Sequence, residues 1–217
     1  VRWVVNTGSQ DHRWLGNAYF AGNGAEIIAL ARTAATQAES AAQQLEGLKR
    51  FLGPRLQGTR PLPAPKPLAH AGPLQRGGET LELTYTDAHY PGDAWVWLPR
   101  QRVLFSGDLV YVDRLLGVMP SSSVKNGRQA FHALAGLKPA RIVPGHGRVC
   151  DLPQAQRETG DYYEFLATQV GAAARAMDPM DETLDRYADL PAFRHLQNYG
   201  ELHRANMNRA FTEFESQ

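Results

Sequence analysis

Val1-Arg2-Trp3-Val4-Val5-Asn6-Thr7-Gly8-Ser9-Gln10-Asp11-His12 opens the chain. Its first five residues are β-branched or aromatic apart from Arg2, and they run into a cluster of turn formers, so the segment reads as a strand feeding a loop that ends on a carboxylate beside an imidazole. The same grammar recurs. Val103-Leu104-Phe105-Ser106-Gly107 leads to Asp108, a short β-rich run leads to Pro144-Gly145-His146-Gly147, and the strand-like run ending at Thr86 precedes His89 and Pro91-Gly92-Asp93. Strand ends on one edge of a sheet meet in space while lying far apart in sequence.

Helical patterns separate these strands. After Glu26–Leu30, an alanine-rich stretch from Thr33 to Leu52 carries Ala34, Ala38, Ala41, Leu45, Leu48 and Leu52 at steps of four and three, the spacing of one helical face, and Gly53-Pro54 ends it. Six prolines between Gly53 and Pro73 predict an extended surface loop or lid. Strands are expected at 81–86, 94–98 and 102–105, the last two joined by Pro99-Arg100-Gln101, then a helix over 127–135 and a strand over 141–143. From Gln154 the pattern is helical, broken near Pro179 and Pro191, and Met207, Ala210, Phe211 and Phe214 share a face of the last helix. Strands interleaved with helices and followed by a helical tail predict a layered α/β sandwich.

The chain has 217 residues, and 23 Lys+Arg against 22 Asp+Glu leave a formal charge of +1. That balance argues against nucleic-acid binding through a broad basic face. No apolar run approaches the ~18 residues of a membrane-spanning helix, so no membrane partner is expected. Cys150 is the single cysteine; it reads as a buried small hydrophobe, and any metal must be held by His and carboxylate. Two imidazoles with two carboxylates make a site for Zn²⁺ or Fe²⁺. His70, His132, His195 and His203 lack spaced partners and read as structural or solvated. Trp95 and Trp97 read as core, and Ser121-Ser122-Ser123 with Asn126 as a polar turn.

In order and spacing, Asn6-Thr7 through Asp11-His12, Leu15-Gly16-Asn17-Ala18-Tyr19-Phe20, His89 with Pro91-Gly92-Asp93, Phe105-Ser106-Gly107-Asp108 and Pro144-Gly145-His146-Gly147 resemble the metallo-β-lactamase superfamily. The resemblance implies an αββα sandwich, with residues 1–150 as the metal-binding core and 151–217 as a helical extension on the same domain. It also implies that strands preceding the first motif lie outside this sequence, which would leave an edge of the strand 1–5, with Trp3, uncovered and open to homo-oligomer formation. The compartment stays open: periplasmic with a signal peptide upstream, cytoplasmic without one.

The first motif of that superfamily reads HxHxDH, and this chain departs from it. Anchored on Asp11-His12, its first two histidines fall on Thr7 and Ser9; anchored on Asn6-Thr7, they fall on Gly8 and on Ser9 or Gln10. The resemblance therefore implies a first metal position reduced to His89 and a share of Asp108, and a second made of Asp11, His12, Asp108 and His146. One Zn²⁺ per chain is expected, with Fe²⁺ as the alternative. The activity implied is hydrolysis of an ester, thioester, lactone or amide carbonyl of a small-molecule substrate by water activated on the metal. Asp11 or Asp108 would orient the water and pass on its proton, and His89 and Gln10 would hydrogen-bond the tetrahedral intermediate. The competing readings are an inactive metal- or ligand-binding protein on the same scaffold, and a non-haem iron oxygenase acting on a thiol or persulfide.

Overall fold

The computed structural model describes residues 1–216. Seven strands form two sheets. β1 (Trp3–Val5) and β2 (Glu26–Ile28) pair in parallel, and β3 (Gly72–Arg76), β4 (Glu79–Tyr85), β5 (Ala94–Leu98), β6 (Val103–Tyr111) and β7 (Arg141–His146) follow one another in the second sheet. There every pairing is antiparallel except β6–β7, which is parallel and is connected through helix α3 (Val124–Gly136). Helices α1 (Asn17–Gly22) and α2 (Ala31–Leu52) cover the small sheet. The tail comprises α4, a helical rod over residues 152–175 interrupted by two π-helical segments, then α5 (Met180–Arg186) and α6 (Tyr199–Glu215).

Three apolar clusters lie at the three interfaces of this four-layer stack, which is the αββα sandwich. Val4 of β1 and Ile27 of β2 meet Phe20 and Ala21 of α1 and Ala34 of α2. Val5 and Leu30 face Leu81 and Leu83 of β4 and Ala94 and Val96 of β5 between the sheets. Trp95 and Trp97, one residue out of phase with Ala94 and Val96, point the other way into the largest cluster, with Leu104, Phe131, Leu134, Tyr162, Leu166, Met207 and Phe211. That alternation is the two-residue period of a strand buried on both faces. Met207, Ala210, Phe211 and Phe214 are all buried, as the helical period required.

Local departures from the sequence reading have physical causes. β3 and its hairpin to β4 were not expected; Gly77 and Gly78, both with positive φ, make the two-residue turn that joins them. The polyproline region begins with a short 3₁₀ turn, Gly53–Leu56, and then follows the small sheet, burying Ala64 in the cluster of Ile27 and bridging Leu30 through Leu68. The buried side of α2 is rotated from the alanine stripe: Thr33, Ala34 and Gln37 are buried, whereas Ala38 is exposed. This side is polar because it cradles a loop. Trp3 is half-buried and lies against Gly77 of the hairpin, and among the described residues β1 pairs only with β2.

Candidate metal centre

Four segments build the site. Residues 6–10 leave β1 in extended form and are stapled from two sides: the Ala94 amide of β5 donates to the Thr7 carbonyl at 2.9 Å, and Gln37 and Gln44 of α2 donate to the Gly8 and Ser9 carbonyls at 3.0 and 2.9 Å. The Asn6 amide also pairs with Asn17 at 2.9 Å. Beyond this loop, Asp11–Arg13 forms one 3₁₀ turn that projects His12 and Arg13 over the edge of the large sheet. Asp108 was expected just past a strand; instead β6 continues through it to Tyr111, with register irregularities on both sides of Gly107. Such a bulge re-aims a side chain, and the buried Asp108 carboxylate sits at the centre of the site. His146 comes from the end of β7.

The structure brings together His12, Asp108 and His146, whose ligand atoms all lie within 4.8 Å of one another. His12 Nε2 is 3.1 Å from Asp108 Oδ2, and His146 Nε2 is 3.3 Å from Asp108 Oδ1. A tetrahedral ion with bonds of about 2.0–2.2 Å keeps its ligands roughly 3.3–3.5 Å apart; the two His–Asp108 separations are close to that, so the cluster has the donors and spacing of a metal site. Asp11 is outside the cluster. It lies on the far side of the His12 ring, where Oδ1 meets Nδ1 at 3.1 Å, the place of a carboxylate that orients a ligating imidazole through its other nitrogen. His89 is also apart: its Nδ1 meets the Gly117 carbonyl at 3.0 Å and its Nε2 meets Gln10 Oε1 at 3.1 Å. Burial pushes the His89 pKa down, favouring the neutral ring. The Gly117 carbonyl and Gln10 Oε1 are both acceptors, so a neutral ring donates to one of them.

Several participants were not among the sequence candidates. Arg13 forks both Asp108 oxygens, Nε to Oδ2 at 2.9 Å and Nη2 to Oδ1, and Nη2 also reaches the Gly145 carbonyl at 2.9 Å. Tyr111 stacks on His146 with centroids 4.7 Å apart, and its Oη lies 3.4 Å from His89 Nε2. The tail fixes both walls: Thr159 hydrogen-bonds the Tyr111 backbone, and Asn206 of α6 holds Leu116 and Val118 on either side of Gly117. Only Arg13 had a sequence cue, a guanidinium next to an acid–imidazole pair on a strand-end loop. Pro144, Gly145 and His146 continue strand β7 where a turn was expected, and the glycine is explained by crowding, since a Cβ at Gly145 would stand 2.4 Å from Asp108 Oδ1 and 2.6 Å from Arg13 Nη2.

Electrostatically the centre is anionic at its core and cationic around it. Burial pushes the Asp108 carboxyl up, but hydrogen bonds from His12, His146 and Arg13 outweigh it and hold the group well below the usual carboxylate range. The same contacts, Asp108 first and Asp11 second, raise His12 to about 9 when no metal competes for its ring. The remaining sequence candidates are placed elsewhere. His132 pairs with Glu164 on the surface, His203 is buried against Tyr162, and Ser123 caps α3 while Asn126 binds the Asp87 carbonyl. Cys150 is buried, which pushes its thiol up to about 12.

The sequence profile of the metallo-beta-lactamase superfamily matches residues 22–146, a segment that starts beyond the first motif and carries His89, Asp108 and His146. In three dimensions the chain is similar to a metallo-beta-lactamase from Pontibacter korlensis, with a TM-score of 0.61 at 22% identity over 76% of this chain and 69% of that one. It is also similar to the DIM-1 metallo-beta-lactamase, with a TM-score of 0.53 at 19% identity over 74% and 66% of the two chains. A curated relative, the Beta-lactamase-like protein 2 homolog of Caenorhabditis elegans, is 28% identical over 120 residues, 52% of this chain. The match spans 39% of that relative's length.

Proposed function

The chain belongs to the metallo-β-lactamase superfamily, and from that premise we propose that it is a metal-dependent hydrolase with a mononuclear centre held by His12, Asp108 and His146. The observation that carries this reading is the convergence of the two Nε2 atoms on the two oxygens of one buried carboxylate. When bound, a Zn²⁺-class ion supplies Lewis acidity for a carbonyl oxygen and lowers the pKa of water.

The chain's own groups provide the rest. Asp11 accepts the Nδ1–H of His12, so that Nε2 faces the cluster as a lone pair, and Tyr111 stacked on His146 sets the plane of the second imidazole. Asp11 is partly open to solvent beside His12, and its pKa is lowered chiefly by the His12 hydrogen bond, so it stays ionised at neutral pH as the acceptor that orients that ring. Gln10, half-buried and held against His89, presents an amide donor to the oxygen that gains charge in a tetrahedral intermediate. The substrate proposed is a small ester, thioester, lactone or amide.

Elemental analysis of protein purified without added metal, with an ester, thioester and lactone screen before and after chelation, tests the proposal. One equivalent of metal and a chelator-sensitive turnover abolished in His146→Ala are expected. Metal-free protein with undiminished turnover refutes it. Two histidines and one carboxylate are also the ligand set of non-haem iron oxygenases, which gives a second reading. Oxygen uptake on a thiol or persulfide by iron-loaded protein, with no hydrolysis, would favour it.

A further inference from the structure

The superfamily's centre has room for two cations, and in this chain one of those places is built from protein. Gln10 Oε1 stands 3.1 Å from His89 Nε2 and the Gly117 carbonyl 3.0 Å from Nδ1, so protein oxygens already face both nitrogens of the imidazole left over from the first position. Asp108, the carboxylate that two ions would share, is already gripped by a cation on both oxygens. Arg13 makes a planar two-point fork on it and a third bond to the Gly145 carbonyl. The arginine is fitted into its place. Its side chain is only 17% exposed, and a Cβ at Gly145 would stand 2.6 Å from Nη2. Gly145 thus keeps open space that the guanidinium fills.

We propose that Arg13 is a built-in cation that stands in for a second metal on Asp108, fixing that carboxylate for the His12–His146 ion and excluding a further one. It is a positioning residue: it acts on the centre through Asp108. A permanent guanidinium suits the role, because it delivers positive charge and carboxylate geometry together and never releases its proton. It also sets the affinity of the remaining place, since a fixed positive charge a few ångströms from an incoming ion opposes it, even at the high effective dielectric of a protein edge. The inference rests on the metal-binding reading above.

The test is zinc titration by calorimetry on the chelator-treated full chain, with metal per chain counted independently by native mass spectrometry. Wild type should take one ion. Arg13→Met should bind zinc about ten-fold or more tightly, because the competing charge is gone, and should admit a second equivalent at high zinc. In chelator, Arg13→Met should melt earlier than wild type, and zinc should restore its melting temperature by more than it raises that of wild type. Arg13→Lys, which keeps charge but not the fork, guards against a misfolded first variant: it should bind zinc no more tightly than wild type. Equal or weaker binding by Arg13→Met, with wild type still holding one ion, overturns the role of Arg13 and leaves the hydrolase reading standing. A wild type that binds none while Arg13→Met binds one supports Arg13 as the resident cation and overturns the metal-dependent reading. No binding by either protein overturns both.

Discussion

Asp108→Asn in chelator-treated protein isolates the charge balance of the centre. The substitution preserves shape but leaves Arg13 without its counter-ion at a largely buried position, and breaking such a pair costs about 3–5 kcal/mol. This part does not vary with pH, because the guanidinium stays charged. His12 adds a part that does. The distance from 6.5 to about 9 corresponds to about 3.4 kcal/mol of preference for the protonated ring, and solvent screening at a side chain 38% exposed reduces it to about 1–2 kcal/mol. Because the folded-state pKa is raised, this stabilisation is fully present below pH 6.5 and is lost as pH rises through about 9. Urea melts of both proteins at pH 6 and pH 10 should therefore give a cost larger at pH 6 by about 1–2 kcal/mol. An equal cost at both values, or a cost under about 1 kcal/mol at either, would refute the account of Asp108 as the hub of a charged cluster.

Further outcomes follow from the same geometry. Asp11→Asn should weaken zinc binding by about 10–100-fold without changing stoichiometry; loss of the ion altogether in calorimetry would make Asp11 a ligand. Gly145→Ala pushes a methyl into Asp108 and Arg13 and should destabilise by about 1–3 kcal/mol, whereas Gly47→Ala, mid-helix in α2 with open space around it, should stabilise by about 0.5–1 kcal/mol. Denaturant melts showing the two variants alike would contradict both statements. Burial lowers the pKa of His203, so its fold contribution is complete above pH 6.5 and declines as pH falls below that value; His203→Gln should flatten the decline between pH 7 and pH 5, and an unchanged slope would assign it to other groups. Among the described residues one edge of β1 has no partner strand, which invites pairing with another chain, and light scattering should show concentration-dependent self-association; a monodisperse monomer throughout would show the edge to be protected.

How much of this was legible follows from the range of the forces involved. The two-residue alternation of Val103-Leu104-Phe105 and of Trp95-Val96-Trp97 and the helical spacing of Met207, Ala210, Phe211 and Phe214 are local properties, so the chain by itself determined an α/β sandwich with His12 beyond one strand and His146 at the end of another, whereas β6 runs on through Asp108 and β7 through Pro144-Gly145. Relations across layers are not local. The inward face of α2 was misplaced because Thr33 and Gln37, both buried, and the half-buried Gln44 hydrogen-bond loop carbonyls, a reward no hydrophobic period records. Asp11 and His12 are neighbours in sequence, and only the 3₁₀ turn decides that His12 Nε2 enters the cluster while Asp11 stays behind the ring. The closing of His89 by Gln10, and the grip of Arg13 on a carboxylate 95 residues away, depend on which side chains the bulge in β6 and the stapled loop bring within a few ångströms. Packing sets those distances, and a linear pattern does not encode them.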